Sequence, residues 1–241
     1  MTCFQNLLFK FLWCFVLIFS GQIFASTGNV AGSGIREGDR SWEYRSSYQE
    51  SDVGPSAFTH RAHYQQAIDD TQRYRAIIQQ GQRTGSSLEL NWIRFEYQWN
   101  YQKQKPDSSG GALRFDLQFA EGDNQPHFVR AVWIKDYSAG AWQSRFNLFV
   151  GADVGNNARS GLSLAAAAQV SRVVGDYSIG GQYFDDLNTT GRILSFDQQN
   201  HQAGVFVSRK FAAWNIFASY LTALSGRAPD KELRIFFGRS L

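Results

Sequence analysis

From Leu113 to Phe119 the chain alternates without a break: Leu113, Phe115, Leu117 and Phe119 are apolar, while Arg114, Asp116 and Gln118 between them are charged or polar. Side chains of an extended strand point alternately to opposite faces, so this segment has one apolar face and one polar face. The pattern recurs. Trp142, Phe146, Leu148 and Val150 share a phase opposed by Gln143, Arg145 and Asn147, and Ile93, Phe95, Tyr97 and Trp99 oppose Arg94, Glu96 and Gln98. Tyr177, Ile179 and Tyr183 oppose Ser178 and Gln182, and Trp214, Ile216 and Tyr220 oppose Asn215 and Ser219. A period of two carried through so many segments excludes a helical protein. Residues 127–136 break the rule, because Arg130 and Lys135 fall in opposite phases.

Aromatic residues make up 15% of the chain, yet its mean hydropathy is −0.35. A water-soluble core draws on Leu, Ile and Val; here Trp, Tyr, Phe, Gln, Ser and Gly dominate. An outer-membrane β-barrel explains the pairing, since its strands set apolar residues toward lipid and polar ones toward the lumen, with aromatics at both interfaces. The fold expected is all-β, a single antiparallel transmembrane barrel over residues 40–241.

The N-terminus agrees. Lys10 precedes an apolar run, Phe11–Phe19, and Ile23-Phe24-Ala25 leads to Ser26. That order predicts a cleaved secretory signal over residues 1–25. The run is well short of the roughly 20 residues that a membrane-spanning helix needs. Both cysteines, Cys3 and Cys14, fall in this segment, so the mature chain has neither disulfides nor thiolate ligands. The mature part keeps 23 of 24 Lys and Arg and all 21 Asp and Glu, and 23 − 21 = +2 gives no argument for a nucleic-acid partner. Residues 26–39, rich in Gly, Ser and Thr, read as a flexible periplasmic lead-in.

The final strand carries Leu233, Ile235, Phe237 and Leu241 in one phase, the kind of ending that barrel-assembly machinery reads. Arg239 in that phase belongs at the interface, where a charge costs little. Short turns are expected at 69–71, 138–140, 175–176 and 210–212, a longer one at 105–111, and outer loops at 51–55, 82–87, 121–126, 153–161, 185–192 and 225–230. Twelve strands result, with ten and fourteen as alternatives.

The stretches Gly180–Leu187, Ser195–Gly204 and Leu221–Asp230 resemble a family of uncharacterised proteobacterial outer-membrane barrels. Its members share a phrase F-x-x-Q-x-H-x-x-G, matched by Phe196, Gln199, His201 and Gly204, and a late G-L-S-x-x-A-P-D, in which Ala223 stands where Gly is frequent. The resemblance covers the C-terminal third and implies a barrel in the outer membrane, but no activity.

Few motifs carry chemistry. His60 and His63 would point to opposite faces of a strand, which argues against a joint metal site. His127 follows a turn proline and reads as a loop residue. No Gly-rich phosphate loop or EF-hand pattern indicates a cofactor. Ser195, Asp197 and His201 could be drawn as a nucleophile–acid–base grouping, but proximity in sequence says nothing of geometry; a structural polar network of Asp197, Gln199 and His201 is the favoured reading.

The strongest clue is a set of arginines. If the apolar phase faces lipid, Arg61, Arg73, Arg75, Arg94, Arg114 and Arg145 face inward, with Glu89, Glu96 and Asp116 as partners. Arginine lining a pore compensates an anion for lost hydration. The expectation is a narrow passive channel for anionic or sugar-like small solutes, embedded among outer-membrane lipid and lipopolysaccharide. Two alternatives stay open: a side-chain-filled barrel serving as an accessory envelope protein, for example in surface-polymer export, and a lipid-modifying enzyme.

Overall fold

The computed structural model describes residues 28–51, 55–122 and 125–241; the expected signal segment lies outside them. Twelve long antiparallel strands close into a barrel: β1 (Arg40–Glu50), β2 (Ala57–Ala67), β3 (Gln72–Arg83), β4 (Glu89–Gln102), β5 (Ser109–Ala120), β6 (His127–Ala139), β7 (Trp142–Val154), β8 (Ser163–Val174), β9 (Tyr177–Thr189), β11 (Asn200–Phe211), β12 (Trp214–Ala223) and β13 (Lys231–Ser240). A two-residue strand, β10 (Arg192–Ile193), forms a hairpin on the end of β9, and one turn of 3-10 helix follows at Phe196–Gln198. Every long strand pairs with its sequence neighbours, and β1 pairs with β13 from Ser41↔Ser240 to Glu50↔Lys231.

An even strand number puts both chain ends at one rim, here called the terminal rim. The connections there are short, except 103–108, which follows a register shift between Asn100 and Gln102. At 69–71 the turn is held by Asp69, whose carboxylate accepts hydrogen bonds from the Thr71 N–H and hydroxyl. These bonds lower the Asp69 carboxyl below its usual range.

The outer surface is apolar. Phe95, Phe115, Leu117, Ile179, Val205, Ile216, Leu233 and Phe237 are all exposed. Exposed apolar patches on soluble monomers rarely exceed a few hundred Å²; a belt around a whole barrel needs hydrocarbon against it. At the terminal rim Trp42 and Trp214 meet edge to face at 5.6 Å, with the Arg239 guanidinium 5.4 Å from the Trp214 ring. Arg239 thus sits among interfacial aromatics, as its place in the apolar phase required.

The irregular strand β6 now has an account. Arg130 faces the lumen, whereas Lys135 faces outward near the terminal rim and donates to Gln102 Oε1 at 2.6 Å. Phe128, Val132 and Ile134 share the inward phase with Arg130 and are buried. His127 is the first residue of β6 rather than a loop residue, and its Nδ1 accepts the Ala120 N–H.

Residues 28–34, part of the expected lead-in over 26–39, run through the lumen, where Val30 is 1% exposed and Ser33 is fully buried. The wall supplies partners for the backbone of this segment.

The facing assignments predict the response to charge. Phe115→Arg, in the middle of β5 on the outer face, should cost about 2–4 kcal/mol in a lipid bilayer. Unfolding by urea in phospholipid vesicles, followed by tryptophan fluorescence, measures it.

Candidate functional site

Alternation fixes which side chains enter the lumen. On β1 to β7 the inward phase carries Arg45, Arg61, Arg73, Arg75, Arg94, Arg114, Arg130 and Arg145. The six arginines expected from the sequence are all there. Arg45 and Arg130 were missed: Arg45 was legible from Trp42, Tyr44 and Tyr48 in the opposite phase, but Arg130 was hidden by apolar inward neighbours.

Two carboxylates organise the middle of this wall. Glu96 lies 3.2 Å from Arg75 and 3.7 Å from both Arg94 and Arg114. Asp116, whose side chain is 0% exposed, pairs with Arg114 at 2.8 Å and Arg130 at 2.6 Å. Arg61 and Arg94 lie over the Trp92 ring at 4.9 and 4.3 Å, and take Gln79 and Gln118 as acceptors. Arg45 pairs with Glu43 at 2.6 Å. Glu89 does not join them; it is the first residue of β4, paired with Gly81 at the far rim, where it is exposed and accepts from the Ser87 hydroxyl.

The acids on the inward phase of these strands are Glu43, Glu96, Asp116, Asp136 and, nearer the far rim, Asp153, which Arg159 matches at 2.6 Å; with Arg159 counted, 9 − 5 leaves four positive charges in excess. The opposite wall is different. It offers Gln169, Ser171, Gln182, Gln202 and Ser219, the Asp186 carboxylate toward the far rim, one ion pair between Arg234 and Glu232 at 2.7 Å, and three stacked rings, Phe206, Phe217 and Phe236. Between the walls lies a cavity of about 630 Å³ that reaches from Ala212 and Ser240 at the terminal rim to Arg159 and Asn200 at the far rim. All eight inward arginines and Glu96 line it. Asp116 does not; it is buried behind Arg114 and Arg130.

Segment 28–34 borders the same cavity. The Ala31 N–H donates to Asn147 Oδ1 at 2.7 Å and Asn147 Nδ2 donates back to the Ala31 carbonyl at 3.0 Å. Ser33 donates its N–H and hydroxyl to Asp136 Oδ2. Arg73 donates to the Gly32 and Gly34 carbonyls. On the other wall, Arg234 donates to the Gly28 carbonyl and Gln182 to Asn29 Oδ1.

The histidine grouping differs from its sequence reading. His201 pairs in register with Asp185, not with Asp197, and its Nδ1 lies 3.1 Å from Asp185 Oδ1 and 2.9 Å from the Tyr183 hydroxyl. Phe196 stacks on the ring at 4.0 Å. Asp197 and Ser195 are exposed around the 3-10 turn before β11 begins. Gln199 and His201 do share a partner: the Ser225 hydroxyl accepts the His201 N–H and donates to the Gln199 carbonyl. This cluster lies on the outward phase of β9 and β11, away from the arginines. His60 faces outward against Tyr44, while His63 is buried inside.

No family model and no curated protein matches the sequence. Solved structures do share the fold. A KdgM porin is 13% identical, with 83% of this chain and 99% of that chain covered at a TM-score of 0.60. A KdgM porin in complex with disordered oligogalacturonate is likewise 13% identical, over 83% of this chain and 99% of that one, at 0.61. A NanC porin is 9% identical, over 83% and 98% of the two chains, at 0.57. The chain is similar to these porins in its barrel architecture.

The buried carboxylate gives a test of the wall. Asp116→Asn leaves Arg114 and Arg130 without their shared anion and should destabilise the barrel by about 3–5 kcal/mol, the usual cost of removing one partner from a buried pair. Glu89→Gln at the rim should stay within about 0.5 kcal/mol of the parent. Urea unfolding of both variants in detergent micelles makes the comparison.

Proposed function

We propose that the protein is a passive outer-membrane channel whose arginine-lined lumen favours small anionic or sugar-like solutes. The observation that carries this reading is the cationic wall of β1 to β7, whose eight inward arginines all line a cavity that reaches both rims and outnumber the acids of the wall. An anion entering a narrow lumen loses hydration, and fixed guanidinium groups compensate it. Their planar forks also match carboxylates in two-bond geometry. The amides and hydroxyls of the opposite wall suit a solute that carries hydroxyl groups. Likeness to porins, one of them holding oligogalacturonate, supports the same class of solute here.

The setting follows from the outer surface. Its exposed apolar belt and interfacial Trp and Arg side chains suit a bilayer of phospholipid and lipopolysaccharide, and the alternating final strand suits recognition by barrel-assembly machinery. Nothing in this reading calls for a cofactor or for catalysis by His201.

Single-channel recording of the refolded mature protein across a salt gradient tests the proposal. Discrete openings with a reversal potential of the anion-selective sign are expected. Arg75→Gln combined with Arg145→Gln should reduce that selectivity several-fold, because both line the cavity and neither holds Asp116. A folded barrel that passes no current, or prefers cations, would overturn the reading.

A further inference from the structure

We propose that the inner wall of β4 to β7 is a peptide-binding site, that its ligand is the chain's own segment 28–34, and that release of the segment widens the passage. The last clause rests on the channel reading; the binding site does not.

The wall is shaped for this ligand. A barrel lumen is ordinarily polar, yet here Ala112, Val132 and Ile134 form a buried apolar patch on the inward phase of β5 and β6. Ala31 packs against that patch together with Phe149. Around the patch stand groups that take up the peptide backbone. Asn147 makes a donor–acceptor pair with Ala31, as a neighbouring strand would. Gln98 and Asn100 donate to the Gly32 and Ser33 carbonyls, and Asp136 receives both donors of Ser33.

Sterics select small residues on both sides. A Cβ at Gly110 of β5 would lie 2.4 Å from Ser33 Oγ, so a larger residue there would displace the segment. A Cβ at Gly32 would lie 3.2 Å from the Arg145 guanidinium carbon. At Ala31, Gly32 and Ser33 the site therefore takes small residues, with their main chain as the chief recognition element.

The segment also occupies functional groups. Arg73 spends its donors on Gly32, Gly34 and Gln98, and Asp136 is engaged by Ser33. The segment runs from Arg234 and Gln182 on one wall to Asn147 on the other, across the cavity that a solute would use. It precedes the first strand, so withdrawing it breaks no strand pairing.

The test compares three full-barrel proteins: the parent, a chain lacking residues 28–34, and Ala31→Asp, which sets a carboxylate against the apolar patch. Single-channel conductance should rise several-fold in both variants. A synthetic peptide of residues 28–34 should bind the deletion variant in detergent, read by anisotropy of a labelled copy, and return its conductance to the parent level. The same peptide with Ala31→Asp should do neither. Folded variants with parental conductance overturn the widening, and failure of the peptide to bind overturns the site. If every protein is silent while the peptide binds, the site stands and the widening falls together with the channel reading.

Discussion

Pairing of β1 with β13 is the interaction on which everything else depends. In hydrocarbon no water is present to satisfy a backbone N–H or C=O, and each unpaired group costs several kcal/mol. An open edge is therefore untenable, and the seam from Ser41↔Ser240 to Glu50↔Lys231 removes it. Closure with twelve antiparallel strands also places both ends at one rim, where Trp42, Trp214 and Arg239 gather. Once the sheet is closed, every strand has one face toward lipid and one toward the lumen, and the two-residue period of the sequence becomes obligatory.

The inward face then carries a cost that the arginine wall resolves. Guanidinium groups crowded in a narrow lumen repel one another, and burial removes their water. Glu96 and Asp116 answer this by being shared: one carboxylate stands among three arginines and the other between two. Trp92 and Phe149 add ring faces for Arg61, Arg94 and Arg130. Sharing stabilises the wall without neutralising it. The same arrangement that lets the barrel hold so many arginines leaves the lumen positive, which is the property the proposed channel uses.

Much of this was legible in advance where one rule acted alone. On β4, β5 and β7 the outer face is predominantly apolar, so strand position, facing and the inward arginines followed from alternation. Strand β6 was illegible because two demands meet on it: its lipid face includes Lys135, tied to Gln102 near the rim, and its inner face includes Val132 and Ile134. His201 was misassigned for another reason. Its partner Asp185 is distant in sequence and comes beside it through the register of β9 with β11, which no local spacing reveals.

The segment before β1 and the apolar stripe of β6 are the same exception seen from two sides. Gly and Ser lower the barrier to disorder, and composition reads them as flexible; order arises only when partners outweigh the lost freedom. Eleven hydrogen bonds among the described residues tie segment 28–34 to the wall, and Ala31 adds apolar contact with Ala112, Val132 and Ile134. That is why apolar residues stand on the lumen side of β5 and β6, where alternation alone would have placed polar ones.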